Sequence, residues 1–234
     1  MTGQTVTIPG PDGPFAGYLA SPASGSGPGI VVIQEIFGVN KVMRDVADGY
    51  AAHGYFALAP DLFWRLQPNV QLTDRSDAEW QQAFGFMTRF DADKGVTDIQ
   101  ATIHHLRALP GVTGKVGAVG YCLGGRLAYL TAARTDADAS VGYYGVYIQE
   151  HLGEAGAIKK PLMLHIAAAD EYVPPPAQEK IITALKSNPH VTLHSYAGMN
   201  HAFARVDGKH YDKASADLAN SRTADFFAQH LRQP

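Results

Sequence analysis

Val116-Gly117-Ala118-Val119-Gly120-Tyr121-Cys122-Leu123-Gly124-Gly125 runs from an apolar segment into a small-x-nucleophile-x-small pattern centred on cysteine. This is the form of a nucleophile elbow: a strand enters, the chain turns sharply at the nucleophile, and a helix leaves. A bulky neighbour two positions from such a turn would clash, and Gly120 and Gly124 carry no Cβ. A helix starting at Leu123 would aim the positive end of its dipole at the Cys122 sulfur, which favours a thiolate. Cys122 is the only cysteine in the chain. The same short pattern also fits a tight turn around an inert buried thiol, so the rest of the chain must decide between the two.

Working outward, short β-branched or apolar runs alternate with segments of helical spacing. Residues 5–8 and 15–19 flank Pro11-Asp12-Gly13-Pro14 and predict an antiparallel hairpin. The Ser/Gly/Pro-rich residues 21–29 predict a surface loop. Strands are predicted at 30–33, 55–59, 115–119, 140–144, 161–167 and 191–196. Helices are predicted at 40–53, 98–109, 123–134, 174–187 and 212–231. This alternation predicts an α/β fold with a mostly parallel central sheet and helices on both faces, as one domain over 1–234. Catalytic groups then belong at the carboxyl ends of strands. Residues 61–93 break the rhythm with Phe63, Trp64, Trp80, Phe84, Phe86 and Phe90, and predict a helical insertion whose aromatics pack on the sheet or wall a substrate pocket.

Composition narrows the classes. The 234 residues are 46% hydrophobic and 18% charged, with net charge −3, which gives no electrostatic argument for nucleic acid or an anionic membrane. No apolar run approaches the roughly 20 residues of a membrane span. The segment from Met1 to Thr5 lacks a basic and an apolar leader region, and one cysteine forms no internal disulfide. A cytoplasmic enzyme, monomeric or weakly homo-oligomeric, is the expectation. No H-E-x-x-H motif or cysteine pair suggests a metal, and no cofactor is expected.

A cysteine nucleophile needs a base, and the base needs an orienting acid. Elbow enzymes supply them in the chain order nucleophile, acid, histidine. The predicted strand 161–167 is followed by Asp170, and the strand 191–196 by His201. Glu171 competes with Asp170, which is favoured because it comes first after the strand and its shorter arm holds an imidazole more rigidly. Of the ten histidines, His53, His104, His105 and His230 fall in predicted helices, and His165 and His194 inside strands. His151 and His210 lack the strand-then-loop position, and His190 lacks a helical metal partner. Position alone makes the backbone N–H groups of Ile36 and Leu123 the candidate oxyanion donors, with Phe37 and Tyr121 as neighbouring substrate-contact candidates. Glu35 is a carboxylate at a strand end that demands a partner if buried, and otherwise reads as a solvated loop residue.

Four stretches resemble the dienelactone hydrolase family of the α/β-hydrolase fold. They are Val32-Ile33-Gln34-Glu35-Ile36-Phe37-Gly38, the run from Gly54-Tyr55 through Ala57-Leu58-Ala59-Pro60-Asp61-Leu62, Val119 to Gly125 around the elbow, and Gly198-Met199-Asn200-His201-Ala202-Phe203-Ala204-Arg205. The resemblance implies hydrolysis of a small carboxylate-bearing enol lactone through a thioester, without a cofactor. It implies Cys122 as nucleophile, His201 as base, Asp170 as its orienting acid and Glu35 as partner of the resting thiol. It implies that Arg205 binds the substrate carboxylate, a role suited to an arginine fork. Lactone-opening members also use a second arginine from the segment that here spans 73–90. Arg75 and Arg89 are its candidates, and neither lies in a motif match. A carboxylesterase of other small esters shares all these residues. A non-catalytic ligand-binding protein would not need the triad, and a redox sensor would need a second thiol.

Overall fold

The computed structural model describes residues 3–232. Met1 and Thr2 of the segment read for a leader, and the last two positions of the expected 1–234 domain, lie outside the described residues. The chain separates into two compact units that part between Ala118 and Val119. The strands follow the sheet order β1-β2-β4-β3-β5-β6-β7-β8.

In the first unit β1 (Gln4–Ile8) and β2 (Phe15–Ala20) form the expected antiparallel hairpin. β2 also pairs antiparallel with β4 (Phe56–Pro60), and β4 pairs parallel with β3 (Gly27–Ile33). Every residue of β3 and β4 is buried, as covering of both faces requires. β3 starts three residues earlier than its β-branched run, so Gly27 to Gly29 leave the predicted loop. The Gly27 N–H donates to Gly111 O at 3.0 Å, a pairing that needs no side chain. Helix α1 (Lys41–Ala52) is capped by Asn40, whose side chain accepts the Met43 N–H at 3.2 Å.

The insertion is helical: α2 (Asp77–Arg89), and α3 (Ala92–Ala108), which begins six residues before the predicted start. Asp91 explains that difference, since its carboxylate accepts the Asp93 and Lys94 N–H groups and caps the helix early. The insertion's aromatics pack on one another and on Phe15 and Phe37. Phe63 stacks on Phe86 at 5.2 Å, Trp80 on Phe84 at 5.5 Å and edge-on to Phe37 at 5.0 Å, and Trp64 stacks on Phe15 at 5.7 Å. Trp64 and Arg65 both bond the fully buried Asp98 carboxylate of α3, which is thereby paired.

The second unit receives the end of β5 (Val112–Tyr121), then α4 (Leu123–Arg134), β6 (Ala139–Tyr143), β7 (Leu162–Ala167), α5 (Pro175–Leu185), β8 (Val191–Tyr196) and α6 (Lys213–Leu231). β6, β7 and β8 are parallel neighbours. Successive strand residues face opposite ways. A Cβ on Gly142 would sit 2.8 Å from the Gly125 carbonyl of α4, whereas Tyr143 sends its hydroxyl to Asn220 and Thr223 of α6. Hence α4 and α6 cover opposite faces.

Two glycines separate close approach from mere flexibility. A Cβ on Gly120 would overlap the Gly124 carbonyl, while one on Gly49, inside α1, meets nothing within 4 Å. Gly120→Ala is expected to lower stability in urea unfolding by about 1–3 kcal/mol or more. Gly49→Ala is expected to raise it by about 0.5–1 kcal/mol.

Candidate active site

Cys122 has φ 57° and ψ −114°, outside the regions open to a residue with a Cβ. Such a conformation costs on the order of 1–3 kcal/mol and persists only where its surroundings enforce it. Here the Cys122 N–H donates to Tyr143 O at 3.1 Å. Its carbonyl accepts from Gly125 at 3.0 Å, Arg126 at 3.3 Å and Val146 at 3.4 Å. Leu123 opens α4, so its N–H is one of the first-turn donors that the helix itself cannot satisfy. That is the donor expected of an oxyanion hole.

The loops after β7 and β8 are stitched together. Ala168 N–H donates to Tyr196 O at 3.0 Å and Ala169 N–H to Met199 O at 2.8 Å. This carries His201 to Asp170, with Nδ1 2.9 Å from Oδ2. The other carboxylate oxygen accepts the Tyr172 N–H at 2.8 Å. Glu171 is turned away: its carboxylate meets His210 at 3.3 Å and lies half in solvent. Asn200 braces the corner, its Oδ1 accepting the His201 N–H at 2.6 Å and the Glu171 N–H at 3.0 Å.

The bond to Asp170 fixes the proton on Nδ1 and leaves Nε2 for the sulfur, to which His201 is also hydrogen-bonded. Burial alone would pull the imidazolium down. The negative charge on the Cys122 sulfur and the bonds to Asp170 and Cys122 outweigh it, and hold His201 well above an ordinary imidazole. Tyr144 and Tyr172 present ring edges to His201, with centroids 5.2 and 4.9 Å away. Burial first, and then the charges of Glu171, Cys122 and Asp170, raise the Tyr172 phenol and keep it neutral. Arg205 follows His201 by four residues and is buried at 8% exposure, and its N–H donates to Ala202 O at 3.0 Å. Tyr121, a substrate-contact candidate, stacks on Tyr143 at 4.8 Å.

In the first unit Glu35 is buried at 1% exposure just past β3, where the motif put it, with Ile36 and Phe37 also buried. Arg75 and Arg89 are both exposed. Arg89 folds back on its own helix, bonding Gly85 O at 3.0 Å and covering the Phe86 ring. Among the described residues there is no group of three or more metal-ligating side chains, and no helix long and apolar enough to cross a membrane.

The dienelactone hydrolase family model matches residues 15–231. The chain belongs to the dienelactone hydrolase family. A protein of Azospirillum brasilense is 50% identical over 231 residues, 97% of this chain and 98% of its own length. A Pseudomonas putida protein named carboxymethylenebutenolidase is 39% identical over 97% of each chain. A crystal structure from Klebsiella pneumoniae superposes with TM-score 0.87 at 26% identity, covering 97% of this chain and 98% of that one. The protein is therefore a hydrolase of the carboxylic-ester class, on the α/β-hydrolase fold that the family resemblance implied.

Three contributors to this family site escaped the sequence reading. Tyr144 directly follows β6, but it is the last residue of the strand predicted at 140–144, so the strand-then-loop rule passes over it. Tyr172 and Asn200 act through a backbone N–H and a side-chain amide beside the recognised pair, and left no signal of their own.

His165, set aside as a strand histidine, sits behind the site. Its nitrogens meet Tyr196 Oη at 2.8 Å and Thr223 Oγ1 at 2.9 Å. Burial, with His194 and Arg222 nearby, pushes it down to about 3. The unfolded chain takes up this proton first as pH falls, so stability is lost from about pH 6.5 toward 3, by at most about 1.4 kcal/mol per pH unit. In His165→Gln, urea midpoints measured over that range are expected to fall less steeply than in the wild type.

Proposed function

We propose that the protein opens a small carboxylate-bearing enol lactone, the activity named for its Pseudomonas putida relative. The observation that carries this reading is the bonded line Asp170–His201–Cys122, with the sulfur on the strained elbow. The Cys122 thiolate attacks the lactone carbonyl carbon. The C–O ring bond breaks, and the enolate oxygen leaves and takes a proton from the His201 imidazolium. The acyl group stays on sulfur as a thioester. Water then attacks that thioester while His201 takes its proton, and the thiolate departs, so one water is consumed per ring opened. Asp170 keeps the imidazole in the tautomer that this requires. Leu123 N–H faces the developing oxyanion. Arg205 receives the substrate carboxylate through its guanidinium fork. Glu35, Ile36 and Phe37 enter on the strength of the family motif. We infer one hydrolase domain for the whole chain, since the family match runs through both compact units, and a reducing cytoplasm for its thiol nucleophile.

A second reading, hydrolysis of other small esters by the same triad, is favoured by the exposure of Arg75 and Arg89, which leaves the 73–90 segment without a buried arginine. Rates on cis- and trans-dienelactone beside neutral p-nitrophenyl esters separate the two. Cys122→Ala is expected to abolish turnover, and His201→Ala and Asp170→Asn to lower kcat by orders of magnitude. Wild-type activity in Cys122→Ala would end the triad reading. Arg205→Ala is expected to raise KM for carboxylate-bearing substrates; an equal effect on neutral esters would remove its role and favour the second reading.

A further inference from the structure

Arg126 lies one helical turn beyond Cys122 in α4, and its N–H donates to the Cys122 carbonyl. Side chains on a helix lean toward its N-terminus, so this arm runs back toward the turn that carries the sulfur. The guanidinium rests over the Tyr147 ring at 5.6 Å. Tyr147 itself is held at φ 61°, next to Val146, whose N–H is tied to the Cys122 carbonyl. Burial is the largest influence on the guanidinium and disfavours its charge; the negative charges of Glu150 and of the Cys122 sulfur oppose that. Nε is buried and has no hydrogen-bond partner among the described residues. A buried N–H on a cation is costly without an acceptor, and packing over Tyr147 supplies none.

We propose that Arg126 is a specificity-determining residue: its guanidinium takes a carboxylate borne by the substrate while the reacting carbonyl meets Cys122. The proposal rests on Cys122 as the nucleophile. It gives the second unit two arginines, Arg126 four residues after the nucleophile and Arg205 four residues after the base. The second cationic arm expected from segment 73–90 is then supplied from α4.

Because Cys122 is the only cysteine, its alkylation can be followed by mass. The test compares second-order rates with iodoacetate, which carries a carboxylate, and iodoacetamide, which is neutral, at one pH. In R126Q the iodoacetate-to-iodoacetamide rate ratio is expected to fall about tenfold, as for loss of one charge-assisted hydrogen bond. R126K keeps the charge without the fork and is expected to fall between R126Q and the wild type. In parallel, kcat/KM for dienelactone should drop in R126Q by a similar factor, with neutral esters changed less than about threefold. An unchanged ratio, or equal losses with both reagents and both substrates, would overturn the proposal and reduce Arg126 to packing on Tyr147. Should R126Q fail to fold, R126K carries the same comparison. The ratio reports on Arg126 whether or not Cys122→Ala abolishes turnover, so failure of the triad reading is seen separately.

Discussion

The backbone conformation of Cys122 is the constraint on which the site depends. No isolated chain would hold a side-chain-bearing residue at φ 57° and ψ −114°. Four main-chain hydrogen bonds, reaching from β6, from Val146 in the loop after it and from the first turn of α4, hold it there. Those bonds fix more than the sulfur. Tyr143 accepts the Cys122 N–H, and the next residue, Tyr144, turns to φ 38° and sets its ring edge against His201. Cys122 and His201 are thus positioned by one corner of backbone. The absence of a Cβ at Gly142 and at Gly125 permits it, because α4 must press directly on β6 there.

Two buried imidazoles show how neighbours, more than depth, decide whether a charged ring is supported. His165 and His201 are comparably hidden from solvent, at 1% and 4% exposure. His165 meets two neutral hydroxyls and lies near His194 and Arg222, so nothing compensates the loss of water and it stays neutral. His201 meets a carboxylate and a sulfur that can be anionic, so its charged form is held against the same desolvation. A thiol triad depends on that difference. Its working state is an imidazolium beside a thiolate, and only the second environment supports separated charge.

Much of this was legible because it is written in side-chain type and period. The elbow glycines, the buried runs of β3 and β4 and the strand-then-loop positions of Asp170 and His201 all follow from steric and topological rules that act locally. Asp170 precedes Glu171 after the strand and has the shorter arm, and the structure turns Glu171 toward His210. What was not legible depends on contacts between distant stretches or on single caps. Gly27 joins β3 only because Gly111 offers a carbonyl, and α3 starts early because the Asp91 carboxylate binds two N–H groups. The stacking among the insertion's aromatics likewise depends on how α2 folds back over Phe63. Arg205 is marked by its motif, whereas the exposure of both Arg75 and Arg89 is a matter of burial, which composition does not encode.

Cysteine in place of serine also changes what the surroundings must do. A serine hydroxyl gives up its proton during attack, whereas a cysteine reacts as the thiolate, which must be kept from both solvent and misplaced protons. The second unit meets this with a helix N-terminus directly at the sulfur, a base whose outer faces are covered by two tyrosine edges, and an acid whose other oxygen is occupied by a backbone N–H. Each device removes one alternative for the shared proton. Asp170 is left with His201 as its partner in the line, and His201 is left with the sulfur. On the proposed mechanism, the guanidinium groups of Arg126 and Arg205 add positive potential near an anionic sulfur without offering a transferable proton, because guanidinium does not release one in this pH range. Lysine at either place would bring the charge but also an acid able to quench the thiolate. This gives a physical reason for arginine to be the cation that accompanies a thiol nucleophile.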